Sequence, residues 1–250
     1  MKSSETQKKS LRVFEIDQRL VDQYFNSYEE ILKYRQEVYE SGLLESLRNS
    51  AEEFGKNVIG ETVRGNQYEL ADIGMEEGIY LYSILRKLKP DVAVETGVCN
   101  GFSTAFILLA LETNTNGFLY SLDMPEIADV KYEAGVFWDG KKGAVIPRDQ
   151  QPGWAIPTHL KDRWNLTIGR SQDCLPNLLE KLKSIDFFIH DSEHSYECQY
   201  FECTESFKVL KEGGVLMVDD VEWNSSFYDF ANEKNKEIIH IGSDLGFFVK

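Results

Sequence analysis

The segment DVAVETGVCNGFSTAFILLALE, residues 91–112, joins a short apolar strand to an apolar helix through a turn that contains two glycines. DVAVE has the length and the β-branched residues of a buried strand, and the apolar run FILLALE predicts a helix that begins between Gly101 and Thr104. Gly97 and Gly101 bracket the turn, and because they lack a Cβ atom the backbone there can approach a ligand closely. A strand, a tight turn and a helix in this order are typical of a parallel α/β sheet.

The rest of the chain repeats this alternation of strand and helix. Four further strands are predicted in GFLYSLD, LTIGR, IDFFIH and GGVLMVDD, and the two last strands, KEIIHIG and LGFFVK, are separated by only two residues, which predicts an antiparallel hairpin. The predicted fold class is therefore α/β, with a Rossmann-like, mostly parallel sheet of seven strands that ends in a C-terminal antiparallel hairpin.

Two segments lie outside this regular alternation. Residues 1–74 predict an N-terminal helical extension, since apolar residues between about Leu20 and Leu47 recur every three or four positions. Residues 75–250 are expected to form the main domain, and residues 124–163 form a long irregular insertion in it that we expect to act as a lid. The N-terminal helices are expected either to pack on the sheet or to form the contact of a homo-oligomer. The helix after IDFFIH is expected to bury Tyr196, Tyr200, Cys203, Phe207 and Leu210.

The composition limits the partners of the protein. The 250 residues contain 27 Lys and Arg but 42 Asp and Glu, so the net charge of −15 disfavours nucleic acids and anionic membranes as partners. No apolar stretch approaches the ~20 residues that span a bilayer, and the N-terminus lacks the apolar centre of a signal peptide. A cytoplasmic location is expected, with all four cysteines reduced because no CxxC pair is present.

Polar side chains follow five successive strands of the predicted sheet. Because ligands bind beyond the carboxyl ends of the strands in an open parallel sheet, residues at these ends are candidates for one shared site. Solubility alone would not demand this coincidence, since surface charge can be spread anywhere. The candidates at the strand ends are Glu95, Asp123, the segment Gly169 to Asp173, Asp191 with His194, and Asp219 with Asp220.

The types of residue at the first two strand ends suggest the chemistry of a ligand. Glu95 suits an ammonium group, and the helix start after the glycine turn, with the hydroxyls of Ser103 and Thr104, suits a carboxylate. Asp123 suits a ribose diol, because one carboxylate accepts hydrogen bonds from two adjacent hydroxyls. A ligand with an amino acid head and a ribose describes S-adenosylmethionine. A dinucleotide fits less well, since the turn reads G-x-x-x-G with an acid before it.

These motifs resemble those of class I S-adenosylmethionine-dependent methyltransferases, and among them the metal-dependent O-methyltransferases of the catechol type and of macrolide sugars. The resemblance covers about residues 75 to 250. It implies cofactor contacts by Glu95, Gly97, Gly101 and Ser103 at the methionine end, by Asp123 at the ribose, by Ser171 and Gln172 at the adenine, and by Asp191, and a divalent cation, usually Mg²⁺, on Asp191, Asp219 and Asp220.

The three aspartates also favour a cation on chemical grounds. Carboxylates that converge repel one another unless they are protonated or bridged, and an all-oxygen set favours Mg²⁺, Ca²⁺ or Mn²⁺ over zinc. A metal bound to a substrate hydroxyl lowers its pKa. His194 follows Asp191 by three residues and is the candidate catalytic base, because an ordinary histidine pKa of roughly 6.5 suits that role. The expected activity is O-methylation of a small hydroxylated molecule, such as a sugar or a natural-product precursor.

The sequence alone also allows other interpretations of these residues and of the activity. Asp191 is also a favoured N-cap residue, and Asp219 with Asp220 suit an ordinary turn. His190 is expected to be a core histidine, since strand alternation directs it away from Asp191. The activity has alternatives as well, which are a metal-independent methyltransferase, a hydroxylase or other oxidoreductase on the same fold, and a ligand sensor without activity.

Overall fold

The structure, a computed structural model, describes residues 18–58, 75–128, 130–141, 145–242 and 245–250. The boundary expected at residue 74 lies outside these residues. The described residues of the N-terminal part form three helices, and a fourth helix leads into the sheet. These helices are α1 (Gln18–Gln23), α2 (Tyr28–Ser41), α3 (Leu43–Val58) and α4 (Met75–Leu88).

Strands and helices then alternate as the sequence predicts. The first unit is β1 (Val92–Thr96), α5 (Phe102–Asn114) and β2 (Phe118–Asp123). The insertion holds the two short strands β3 (Glu126–Ile127) and β4 (Val145–Ile146), which pair in parallel, and a 3₁₀ helix at Thr158–Arg163. The remaining elements are β5 (Trp164–Ile168), α6 (Ser171–Leu182), β6 (Ile185–His190), α7 (Tyr196–Val209), β7 (Leu210–Val218), α8 (Ser226–Glu233), β8 (Ile239–Ile241) and β9 (Leu245–Val249).

Seven strands form the main sheet in the order β5-β2-β1-β6-β7-β9-β8. The pairs among the first five strands are parallel, whereas β9 pairs antiparallel with both β7 and β8. This topology confirms the predicted mostly parallel sheet of seven strands and its C-terminal hairpin. Because β1, β2, β5, β6 and β7 run in the same direction, the loops that follow them all leave the same edge of the sheet.

The core has one half on each face of the sheet. Along β6, Phe187 and Ile189 pack into the half that contains α4 and α5, whereas Phe188 packs into the half that contains α6, α7 and α8. The described part of α1 to α3 joins the first half, and the ring of Tyr24 lies 5.3 Å from that of Phe247. No helix in the described ranges has the length and apolar character that crossing a membrane requires.

The buried face of α7 differs from the prediction. Tyr196 is 40% exposed, Tyr200 and Phe207 are only partly buried, and Leu210 is buried but belongs to β7. Cys203 is buried as expected. The residues of α7 that are buried are mostly polar, because this helix covers polar side chains of the sheet: Cys198, Gln199, Glu202, Cys203 and Ser206.

Candidate functional site

The predicted site residues come together at the carboxyl edge of the sheet. The amide of Asp191 donates to the carbonyl oxygen of Thr96 at 2.8 Å, and the amide of Asp219 donates to that of His190 at 2.9 Å. On the other side of β1, the amide of Gly169 donates to the carbonyl of Asp123 at 2.8 Å. These bonds continue the parallel pairing beyond the strands, so the five loops begin side by side.

Glu95 lies at the centre of this edge and is completely buried. Its Oε1 accepts a hydrogen bond from Ser103 at 2.9 Å, and its Oε2 accepts from Thr104 at 2.9 Å and from Ser121 at 2.8 Å. Burial outweighs these three bonds and raises the pKa of Glu95 to about 7. The Ser103 hydroxyl, which the sequence suggested for a ligand carboxylate, is therefore directed to Glu95 in this structure.

The glycine turn after β1 is packed against the protein itself. A Cβ on Gly97 would lie 1.7 Å from the carbonyl oxygen of Asp191, and a Cβ on Gly101 would lie 2.7 Å from the Cα of Gly153. Both glycines have positive φ angles, of 86° and 92°. The close approach that the sequence predicts at these positions is thus made by the β6 loop and by the insertion. Whether the cofactor also contacts them remains a prediction.

Asp123 is held by the amides of the same turn. Its carboxylate accepts hydrogen bonds from the backbone of Val98, Cys99 and Met124, yet burial raises its pKa to about 6. Its Oδ2 is buried and has no hydrogen-bond partner among the described residues. A buried carboxylate oxygen without a donor is unfavourable, so this atom is suited to accept a hydrogen bond from a ligand hydroxyl.

The side chains predicted to contact adenine lie at the start of α6. Ser171 is 8% exposed, and its Oγ lies 3.7 Å from the Sγ of Cys198. Gln172 donates from Nε2 to the same sulfur at 3.2 Å. Both side chains are therefore turned towards α7 in the structure, and their predicted role stays untested.

The three aspartates of the predicted cation site lie after β6 and β7. Asp191 shares a hydrogen bond with Asp219, and burial together with the neighbouring charges, that of Asp219 foremost, raises the pKa of Asp191 well above its usual range. Asp220 has an unusual φ of 54°. Adjacent carboxylates are the donor set that Mg²⁺ prefers, so their chemistry fits a cation. Over the described ranges, however, no three His, Cys, Asp or Glu side chains form a group that could hold a metal ion.

His194 lies beside this acid cluster. Its Nε2 is 3.4 Å from Oδ2 of Asp220, and its Nδ1 is buried without a partner in the described part of the chain. Burial and the charge of His190 lower the pKa of His194 to about 4, so the imidazole is neutral at pH 7 in spite of Asp220. The ordinary pKa assumed from the sequence therefore does not hold here. Trp223, which the sequence did not single out, is 68% exposed with its ring centred 5.1 Å from that of His194.

The insertion reaches three of the strand-end loops. The amides of Gly153 and Ala155 donate to Cys99 and Asn100 of the glycine turn at 2.9 and 3.1 Å, and the indole of Trp154 donates to Asn100 Oδ1 at 2.6 Å. Near its other end, the guanidinium of Arg170 stacks on Phe137 at 4.9 Å, and Lys141 lies 4.0 Å from Glu193. The insertion thus forms part of the wall of the site. Its opening and closing as a lid remains a prediction.

Solved structures share this fold at low sequence identity. The O-methyltransferase from Bacillus cereus, solved in complex with SAH, is 16% identical with a TM-score of 0.53, over 94% of this chain and 96% of that one. The O-methyltransferase TomG from Streptomyces achromogenes, involved in tomaymycin synthesis and solved with SAM, is 17% identical with a TM-score of 0.55, over 85% and 94%. A comparison with curated proteins finds no match.

The family comparison covers the region that carries the site. A family model described as a methyltransferase domain matches residues 94–221, which are 128 of the 250 residues. The match begins within β1 and ends just after Asp220, so it includes every site residue predicted from the sequence. The chain therefore belongs to this methyltransferase family.

Proposed function

We propose that this protein transfers the methyl group of S-adenosylmethionine to a hydroxyl group of a small molecule. The observation that carries the proposal is the carboxylate of Asp123, held by the amides of the glycine turn with one buried oxygen that lacks a donor in the described residues. A ribose hydroxyl supplies the missing donor, and the family supplies the reaction class.

The four cysteines are free, which supports the expected cytoplasmic location.

The cofactor then extends along the edge of the sheet from Asp123 in both directions. Its methionine end would lie towards β1 and β6, and its adenine would lie towards the start of α6. Since β1 lies between β2 and β6, this arrangement brings the methyl group near the acid cluster. The residues that we propose as cofactor contacts are Glu95, Gly97, Gly101, Ser103, Asp123, Ser171, Gln172 and Asp191.

The acceptor would bind on the side of β7. We propose that Asp191, Asp219 and Asp220, which do not form a three-ligand group among the described residues, come together around a divalent cation, most simply Mg²⁺. The cation would replace the proton in the hydrogen bond that Asp191 shares with Asp219. When bound, such a cation lowers the pKa of an acceptor hydroxyl. His194 is neutral at pH 7, so one of its ring nitrogens carries a lone pair that can take the hydroxyl proton. The exposed indole of Trp223 would form one wall for the acceptor.

Methyl transfer needs little further chemistry from the protein. The bond from sulfur to the methyl carbon breaks as the bond from the acceptor oxygen forms, S-adenosylhomocysteine leaves, and the hydroxyl proton is lost. The protein mainly aligns the acceptor oxygen, the methyl carbon and the sulfur. Such alignment of reacting groups can by itself supply a large part of the rate enhancement of an enzyme.

Calorimetric titration with S-adenosylhomocysteine tests the cofactor part of the proposal. The wild-type chain should bind it, and Asp123→Asn should weaken binding by ~10-fold or more, because the amide places a donor where a ribose hydroxyl must donate. Asp149→Asn is the control, since Asp149 is an exposed residue of the insertion. Transfer of a labelled methyl group to catechol and methyl-glycoside probes tests the reaction. Absence of any S-adenosylhomocysteine binding by the wild-type chain would refute the proposal.

A further inference from the structure

One more buried carboxylate lies beneath the site, and the sequence analysis did not single it out. Glu202 belongs to α7 and is completely buried. Its Oε2 lies 2.6 Å from Nδ1 of His190, which is also completely buried, and accepts a hydrogen bond from the hydroxyl of Thr96. Its Oε1 accepts from the hydroxyl of Ser192 at 2.8 Å. Both oxygens of Glu202 are thus engaged by residues of other elements.

These partners lie in or next to the loops at the carboxyl edge of the sheet, where we propose that the cofactor binds. Thr96 is the residue between Glu95 and Gly97, and Ser192 directly follows Asp191. Ser171, the first residue of α6, also donates a hydrogen bond to Glu202. One carboxylate therefore connects the ends of β1 and β6 with the segment after β5. These are the loops proposed here for the methionine end and for the adenine of the cofactor.

Cys198 extends the same connections by one step. Its thiol, one turn before Glu202 on α7, donates to Oε1 of Glu202 at 3.4 Å and lies against the side chains of Ser171 and Gln172. The polar face of α7 is therefore in contact with each proposed adenine contact and with both neighbours of Asp191, His190 and Ser192. An apolar side chain at position 202 would leave these buried donors without an acceptor.

The carboxylate is ionised in spite of its depth. Burial opposes ionisation, but the charge of His190 and the hydrogen bonds from His190, Ser171 and Thr96 outweigh it and lower the pKa of Glu202 to about 2. An ionised acceptor makes stronger hydrogen bonds than a neutral one, so it fixes the positions of its donors more firmly. A glutamine at this position would keep the size of the side chain, but its amide NH₂ group, which is a donor, would face two of the hydrogen-bond donors that the carboxylate accepts from.

We propose that Glu202 is a positioning residue of the cofactor site, whose buried carboxylate holds Thr96, Ser171 and Ser192 where S-adenosylmethionine binding requires them. The inference rests on the proposed function, because it takes these loops as the cofactor site. It goes further in assigning part of the cofactor affinity to a side chain that does not touch the cofactor. Glu202 acts on the ligand only through the groups that it holds.

A purely structural role would lower stability and leave the affinity of the folded protein unchanged. The test is therefore the affinity for S-adenosylhomocysteine, measured by calorimetry at a temperature well below the unfolding transition of each variant. We expect Glu202→Gln to weaken binding by ~10-fold or more, whereas Glu205→Gln should bind like the wild type. Glu205 is a suitable control because it lies on the same helix and pairs with Lys208 at the surface.

A second variant keeps the test decisive if Glu202→Gln does not fold. Ser192→Ala removes one hydrogen bond to Glu202 from a residue that is only partly buried, so the fold should tolerate it. We expect a severalfold loss of affinity, and little additional loss when Ser192→Ala is combined with Glu202→Gln, because the two residues act through one contact. The inference would be wrong, and the proposed function would stand, if the wild type binds S-adenosylhomocysteine and Ser192→Ala and any folded Glu202→Gln bind it with the same affinity. A wild-type chain that binds no S-adenosylhomocysteine would overturn the proposed function with it.

Discussion

The Cα of Gly97 faces the carbonyl oxygen of Asp191 so closely that a Cβ on this glycine would come within 1.7 Å of that oxygen. The turn after β1 and the loop after β6 therefore lie in direct backbone contact. This contact is reinforced by the hydrogen bond from the Asp191 amide to Thr96. The position of Asp191, the residue shared by the proposed cofactor and cation sites, thus depends on the absence of a side chain at position 97.

A methyl group at this position should be poorly tolerated. We expect Gly97→Ala to lower the free energy of unfolding by several kcal/mol, because two backbone segments must separate to admit it. Gly135→Ala is a matched control, since Gly135 has a φ of 87° but no atom within 4 Å of the added Cβ. Its cost should be the backbone strain alone, ~1 kcal/mol. Equal losses in urea unfolding of the two variants would contradict the role of this contact.

Glu95 should make stability depend on pH. Its pKa is about 7 in the folded protein and 4.5 for an ordinary glutamate, so between these values the folded state binds more protons than the unfolded state. Stability from this group is full below about pH 4.5 and is lost as the pH rises to about 7. Between pH 5 and pH 8 the wild type should lose about 2 kcal/mol more than Glu95→Gln.

Urea unfolding of both proteins at the two pH values measures this difference. A slope remains in Glu95→Gln, since the pKa of Asp123 is also raised, to about 6, and titrates in an overlapping range. Glu112→Gln, at an exposed position of α5, should keep the full slope of the wild type. The same slope in Glu95→Gln and in the wild type would show that the carboxyl of Glu95 titrates normally.

The sequence predicted the strands and the site edge because those depend on local patterns. Apolar runs define the strands, and parallel neighbours bring their carboxyl ends together wherever the residues lie in the chain. Asp123 and Asp191 therefore lie at one edge of the sheet that the sequence predicts. This prediction did not require knowledge of side-chain contacts.

What the sequence did not reveal depends on contacts between distant residues. Glu202 lies ten residues from Ser192 and 106 from Thr96, and no pattern within α7 indicates that its polar face is the buried one. Tyr196 was expected inside because it is apolar, yet the sheet beneath α7 presents polar groups. The low pKa of His194 likewise follows from burial, which the sequence around it does not report. The histidine of a core strand, His190, was the available hint that a buried partner exists.

Magnesium should stabilise the protein through the acid cluster. A cation that binds the acid cluster of the folded protein shifts the unfolding equilibrium towards the folded state, so we expect Mg²⁺ to raise the melting temperature and EDTA to reverse the change. Asp219→Asn should melt higher than the wild type without Mg²⁺ and should lose the response to it. Asp149→Asn, at the surface, should respond like the wild type. No response to Mg²⁺, with full methyl transfer in EDTA, would favour the metal-independent alternative.

His194 should affect the rate of methyl transfer and not the affinity for the cofactor. A residue that takes the proton of the acceptor hydroxyl contributes ~100-fold or more to the rate. We therefore expect His194→Ala to lower kcat by about this factor while the affinity for S-adenosylhomocysteine stays the same. His240→Ala serves as the control, because His240 lies on β8, at the edge of the sheet beyond β9. Unchanged kcat in His194→Ala would remove the assigned role.

Trp223 should affect the acceptor and neither the cofactor nor the chemical step. Its indole is 68% exposed, which is a large exposed fraction for an apolar ring. Trp223 lies on the loop after β7 that carries Asp219 and Asp220, and its ring packs beside that of His194. A ring-shaped acceptor that stacks on it gains ~1 kcal/mol, so Trp223→Ala should raise the KM for such an acceptor about fivefold at constant kcat. Trp223→Phe should keep most of the affinity, because it retains a flat apolar face. Catechol and a methyl glycoside distinguish an aromatic from a sugar acceptor in this assay. If Trp223→Ala leaves the KM unchanged for every acceptor that is methylated, the indole lies outside the acceptor site.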